Sequence, residues 1–149
     1  MLKHYSFSSK NKWIVVDRYE KFENVINEDI VEYKPEKKFD LIISVSTIEH
    51  IGIEGDRNKA KYAIDYIVNS CLNKNGRFVF TIPIGYNEYL DKQIFNNQIS
   101  FSEKHYFIKF DRNTWLEASE DQVLDSKYDF APTAFDLEAT ALFLGVIKK

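Results

Sequence analysis

The chain has 149 residues, 44% of them apolar and 15% aromatic, and a formal net charge of −3. That length is the size of one domain, and the apolar share is that of an ordinary globular protein. The acidic balance argues against a nucleic-acid partner or an anionic membrane surface, because counterion release needs a basic face.

Cys71 is the only cysteine, so no intrachain disulfide can form and a reducing compartment is expected. No apolar run reaches the ~18 residues of a membrane span, and the first residues lack a signal-peptide core. The expectation is a cytoplasmic protein with no membrane partner.

Trp13-Ile14-Val15-Val16-Asp17 is an apolar run ending in an acid, the pattern of a buried strand. Asn24 to Val31 is a weaker strand candidate that carries Asp29-Ile30 near its end. Lys34-Pro35-Glu36-Lys37-Lys38 is a basic cluster, most simply a solvated loop. Phe39 to Ser46 is a near-continuous apolar run, as expected of a strand buried on both faces of a parallel sheet. Asp56 can cap a helix from about Arg57 to Leu72, whose apolar positions Ala60, Ala63, Ile64, Ile67, Val68, Cys71 and Leu72 form a 3.6-residue stripe. Asn75-Gly76 is the expected stop of that helix.

Arg77 to Ile82 is the next strand, ended by Pro83. Strand, helix, glycine turn and strand in this spacing predict a right-handed parallel βαβ unit. Tyr89 to Asn97 has the character of a short helix, and His105 to Phe110 that of a strand. Asp111 to Glu138 is the least patterned stretch, although Ser119-Glu120-Asp121-Gln122 has capping-box spacing. Thr140 to Ile147 is the final strand. There are no repeats or low-complexity segments, so a single domain over 1–149 is expected.

The richest segment is Phe39-Asp40-Leu41-Ile42-Ile43-Ser44-Val45-Ser46-Thr47-Ile48-Glu49-His50. In open α/β sheets, ligands lie beyond the carboxyl ends of the strands. Small hydroxyl residues there let a ligand approach the backbone, and Glu49 and His50 can act on it. His4, Cys71 and His105 have no zinc-ligand spacing, so no metal is expected. No nucleophile-elbow, Walker or zinc-protease pattern is present. Tyr106, Phe107 and Phe110 are expected in the core.

Four landmarks in order resemble class I S-adenosylmethionine-dependent methyltransferases. They are Asp17 ending one strand, Asp29-Ile30 ending the next, Phe39-Asp40-Leu41-Ile42 leading to Ser46-Thr47-Ile48-Glu49-His50, and Leu72-Asn73-Lys74-Asn75-Gly76-Arg77-Phe78-Val79-Phe80-Thr81-Ile82-Pro83. Gly85-Tyr86-Asn87 and Tyr89-Leu90-Asp91 are similar to small methyltransferase-like proteins of unassigned substrate. The resemblance implies a three-layer Rossmann-like α/β fold, with a mostly parallel sheet and a closing antiparallel pair around Phe107 and Leu142 to Ile147.

It also implies roles, each with a plainer counterpart. Asp17 would accept the ribose hydroxyls of S-adenosylmethionine, or stand as a solvated strand-end acid. Asp29 would meet the adenine amine with Ile30 on the ring, or Glu28 and Asp29 are surface acids. Ser44 and Ser46 would line the methionine end, or merely permit close packing. Glu49 and His50 would be catalytic, His50 as a general base, or His50 is a hydrogen-bonded structural residue. Tyr86 and Asn87 would sit over the substrate, or form a turn.

One feature departs from the family. Its first strand and glycine-rich turn precede the position of Asp17, whereas the first glycine here is Gly52 and residues 1–12 are polar. The chain is therefore expected to begin after that motif and to lack the first, central strand. Three repairs are open: the Asp17 strand pairs directly with the Phe39 strand, residues 1–12 fill the gap, or a homodimer covers it. Direct closure and dimerisation are preferred.

The functional expectation is a methyltransferase-like protein acting on a small-molecule or sugar-like substrate. The alternative is a catalytically silent binding or scaffold protein. A nicotinamide-dependent dehydrogenase fragment lacks the same glycines and has no other support.

Overall fold

In the computed structural model, residues 13–53, 55–111, 113–129 and 138–149 are described. The chain divides into two units, Met1–Lys34 and Pro35–Lys149. The expectations for residues 1–12 lie outside the described residues.

In the first unit, β1 (Val15–Val16) and β2 (Val25–Ile26) form a short parallel pair, Val15 opposite Val25. Both are shorter than their apolar runs suggest. Asp17 ends β1 as expected, and its N–H donates to the Ile26 carbonyl at 3.0 Å. Asn24 closes the connection at φ 68°, a conformation that Asn tolerates. Asp29-Ile30 does not end a strand. It opens a turn in which the Asp29 carbonyl accepts from the N–H groups of Glu32 and Tyr33.

The second unit holds a five-stranded sheet. Its elements are β3 (Phe39–Val45), a single 3₁₀ turn (Ile48–His50), α1 (Lys59–Tyr66) running into a π turn (Ile67–Cys71), β4 (Leu72–Pro83) and α2 (Glu88–Phe95). Then come β5 (Glu103–Lys109), β6 (Trp115–Ala118), α3 (Glu120–Val123), β7 (Tyr128–Asp129), β8 (Glu138–Ala139) and β9 (Ala141–Lys148). The strand order is β3-β4-β9-β5-β6, with β7 and β8 as a separate antiparallel pair.

Only β3 and β4 are parallel; β4–β9, β9–β5 and β5–β6 are all antiparallel. The architecture is α/β with a mixed sheet, which corrects the expectation of a mostly parallel one. The βαβ unit from β3 to β4 and the antiparallel β5–β9 pair are as expected. The excess of antiparallel pairs has two sources. β9 enters between β4 and β5, and β6 folds back on β5 through a short connection whose sequence carries no strand signal.

Two further expectations are corrected. β3 is an edge strand, with β4 as its one partner among the described residues. None of its residues is fully buried, and Leu41 and Val45 are exposed. An apolar run marks a strand but does not say whether a neighbour covers it. The second correction concerns Asn75-Gly76, which is not the helix stop. The helix ends at Cys71 and Leu72 already pairs with Phe39, yet Leu41 pairs with Arg77. Residues 73–76 therefore bulge out of the ladder, with Asn75 at φ 67°. A Cβ on Gly76 would stand 3.0 Å from the Phe39 carbonyl oxygen, a tight contact that β3 would have to yield to by a few tenths of an ångström.

The sheet buries one face through alternation on β4, where Phe78, Phe80 and Ile82 are fully buried. Phe80 lies 5.9 Å from Phe101 and 6.0 Å from Phe143, ring centre to ring centre, and Tyr106 lies 5.4 Å from Phe143. Ala60, Ala63, Ile64, Ile67 and Cys71 are buried along α1 and the π turn, as their stripe predicts. Tyr106 is in this core as expected, but Phe110 is exposed. The capping box at Ser119 opens α3, as its spacing predicts.

Candidate functional site

β3, β4 and β5 run in one direction, so their carboxyl ends share one edge of the sheet. A cleft of about 340 Å³ opens there. Ser46, Glu49 and His50 line it after β3, Pro83 and Tyr86 after β4, and Lys109 at the end of β5. Trp115, Tyr128, Ala139 and Leu142 complete it.

The local sequence explains this placement. Val45 ends β3, and Ser46 turns the chain at φ 45° while its N–H donates to the Thr81 carbonyl at 2.9 Å. A small polar residue bears that conformation at lower cost than a β-branched one. The Thr47 hydroxyl donates to the Val45 carbonyl at 3.0 Å, and the 3₁₀ turn then carries Glu49 inward and His50 outward. On the β4 side, Pro83 stops the ladder and Gly85, at φ 88°, turns the chain towards α2.

Glu49 is 1% exposed. Its Oε1 lies 3.8 Å from His50 Nε2, and its Oε2 has no hydrogen-bond partner among the described residues. Burial, set against a bond from its own backbone N–H and reinforced by the negative Asp91, pushes its carboxyl up to about 7. Asp91 is itself buried, and its Oδ2 accepts the Gly85 N–H at 2.8 Å. Its carboxyl is pushed up to about 6, chiefly by burial, with the Gly85 bond lowering it and Glu88 raising it.

His50 is half exposed, and its Nδ1 shares a hydrogen bond of 2.8 Å with the Tyr86 hydroxyl. Their rings meet edge to face at 4.6 Å, and Tyr86 meets Tyr128 edge to face at 4.9 Å. Burial raises the Tyr86 phenol above its ordinary range, and Tyr128 and Glu49 add to this. The phenol and imidazole therefore hold a proton between them at the cleft, beside a carboxyl that titrates near neutrality.

Asn87 joins the two halves of the site from beneath. Its Oδ1 caps α2 by accepting the Leu90 N–H at 3.1 Å, and its Nδ2 donates to the Glu49 carbonyl at 2.9 Å. Asn87→Ala should therefore cost about 2 kcal/mol, a lost cap plus a buried unpaired carbonyl. Urea denaturation checks this, and a loss below about 0.5 kcal/mol would contradict the bridging role.

The structure thus brings together Ser46, Glu49, His50 and Tyr86 at the cleft, with Asn87 behind them. Ser44 lies within β3 and does not line the cleft. Asp17, Asp29 and Ile30 belong to the first unit. Asp17 Oδ1 accepts the N–H groups of Tyr19 and Glu20, both at 2.8 Å. Asp29 Oδ2 lies 3.4 Å from Arg18 Nη1, and its Oδ1 accepts the Val31 N–H at 3.3 Å.

Asp91, Lys109, Trp115 and Tyr128 escaped the sequence. Only Asp91 had a signal, three residues into the helix that Asn87 caps. No cluster able to hold a metal ion occurs among the described residues, and no helix there is long and apolar enough to cross a membrane.

No family model matches the chain, and no curated protein does. Among solved structures, the N-methyltransferase NodS from Bradyrhizobium japonicum WM9, in complex with S-adenosyl-L-homocysteine, is similar at 14% identity and a TM-score of 0.45. The match covers 85% of this chain and 55% of that one, so the chain spans little more than half of that structure's length.

Proposed function

We propose that this chain is a methyltransferase-like domain that uses S-adenosylmethionine and methylates a small molecule held in the cleft. The observation that carries the proposal is the clustering of Glu49, His50 and Tyr86 at the carboxyl ends of the strands, where α/β sheets bind ligands. Three of the four sequence landmarks, all but Asp29-Ile30, lead to the same chemistry.

The residues fit S-adenosylmethionine in part. Ser46 lines the cleft, and Asp17 has its second carboxylate oxygen for a ribose hydroxyl, whereas both oxygens of Asp29 are engaged locally. Ser46 would therefore face the cofactor at the cleft. When bound, S-adenosylmethionine supplies an activated methyl group. The chain's part is to orient the acceptor and to accept its proton. The His50–Tyr86 pair is placed for the second task, since proton transfer needs a group within hydrogen-bond reach and both side chains line the cleft.

Calorimetry with S-adenosylhomocysteine tests the proposal. The expected result is micromolar binding. No binding at millimolar ligand would sink it. That outcome would favour a second reading, a ligand-binding protein without catalysis, which draws support from the engaged Asp29.

A further inference from the structure

Two side-chain oxygens are buried without a hydrogen-bond partner among the described residues, Glu49 Oε2 and Gln93 Oε1. Only Glu49 also lines the cleft. A carboxylate oxygen in that position lacks both water and a protein donor. It recovers the lost hydration by taking up a proton or by meeting a donor that a ligand brings.

The surroundings select the kind of donor. Tyr86, Trp115 and Tyr128 line the same cleft, and aromatic ring faces attract cations. A protonated amine supplies positive charge together with several N–H donors, and charge-assisted bonds to carboxylate are the stronger ones. The lysine of the cleft, Lys109, ends β5, which lies three strand positions from β3. That is about 14 Å at the usual strand spacing. Its backbone therefore stands across the cleft from the end of β3.

We propose that the cleft binds a small molecule that presents a protonated amine to Glu49 and lays a flat apolar body against Tyr86, Trp115 and Tyr128. The amine's role as a methyl acceptor rests on the methyltransferase proposal. Its binding rests on the cleft alone.

Calorimetry of the whole chain with benzylamine, benzyl alcohol and benzoate separates these cases. The three probes share a ring and differ in charge. At about pH 8, where Glu49 is ionised for the most part, benzylamine should bind about tenfold or more tighter than benzyl alcohol. The preference should vanish in Glu49→Gln, with a thermal melt confirming that the variant is folded.

The wild-type ranking tests the proposal even if that variant fails to fold. Equal binding of amine and alcohol, tightest binding of benzoate, or no binding of any probe would overturn the inference. So would an amine preference that survives in folded Glu49→Gln. S-Adenosylhomocysteine titrated separately keeps the two proposals apart. An amine preference without nucleoside binding overturns the acceptor role and leaves the amine site standing. Nucleoside binding without an amine preference overturns the amine site alone.

Discussion

Gly85→Ala is expected to destabilise the protein by about 3 kcal/mol or more and to spoil the cleft with it. Two effects add. The backbone at Gly85 has φ 88°, outside the range that an L side chain adopts without strain. A Cβ there would also stand 2.5 Å from the Tyr128 backbone nitrogen and 2.8 Å from the Lys127 Cα. These are main-chain atoms, so no side-chain rotation relieves the contact. Either Tyr128 is pushed away from Tyr86, or the turn between β4 and α2 shifts and breaks the Asp91 bond to the Gly85 N–H. Urea denaturation measures the loss, and a change in near-ultraviolet circular dichroism would report the altered tyrosine packing. A loss below about 1 kcal/mol would mean that the turn is softer than its geometry implies.

Glu49→Gln is expected to change the pH dependence of stability by about 3 kcal/mol. In the folded chain the Glu49 carboxyl is raised from an ordinary value of 4.5 to about 7. Below pH 4.5 both folded and unfolded states are protonated, and the stabilising contribution is fully present. Between 4.5 and 7 the unfolded chain releases its proton while the folded one keeps it, so stability falls as pH rises. Above 7 both are ionised and the loss is complete. Glutamine cannot titrate, so the variant should gain on the wild type through that window.

Asp91, raised from 3.8 to about 6, acts in the same direction but stops sooner. Between pH 6 and 7 the wild type should therefore still lose stability while the variant is nearly level. Denaturation midpoints from pH 4 to 8 give the answer, and parallel curves for the two proteins would refute a buried, shifted Glu49.

How far the sequence was legible follows from which signals are local. The stripe from Ala60 to Cys71 and the strand from Arg77 to Ile82 depend on one element each, and both stand as expected. Asn75-Gly76 misled because asparagine and glycine end helices and open strand bulges through the same left-handed conformation. Only the pairing of Leu72 with Phe39 tells the two apart. The order of the sheet is non-local, and so the antiparallel entry of β9 beside β4 left no trace in any single segment.

The site divides in the same way. Ser46, Glu49, His50 and Tyr86 lie just past strand ends and were legible from that position. Trp115 and Tyr128 reach the cleft from β6 and β7, whose sequences say nothing about a ligand. What marks Tyr128 is a neighbour's lack of a side chain, that of Gly85, and this is visible only in three dimensions.

The middle strand of the sheet, β9, follows all of its sheet partners in the chain. β9 is hydrogen-bonded along both edges, to β4 on one side and β5 on the other. As the polypeptide emerges from the ribosome, β3, α1 and β4 can assemble from nearby contacts. β4 and β5 must then wait, each with an unmatched edge and with Phe78, Phe80 and Tyr106 uncovered, until residues 141–148 arrive. Closing the sheet is thus a late event that spans distant parts of the chain, the slow kind of step in folding. In that interval the unmatched strand edges are the surfaces most prone to pair with a neighbouring chain.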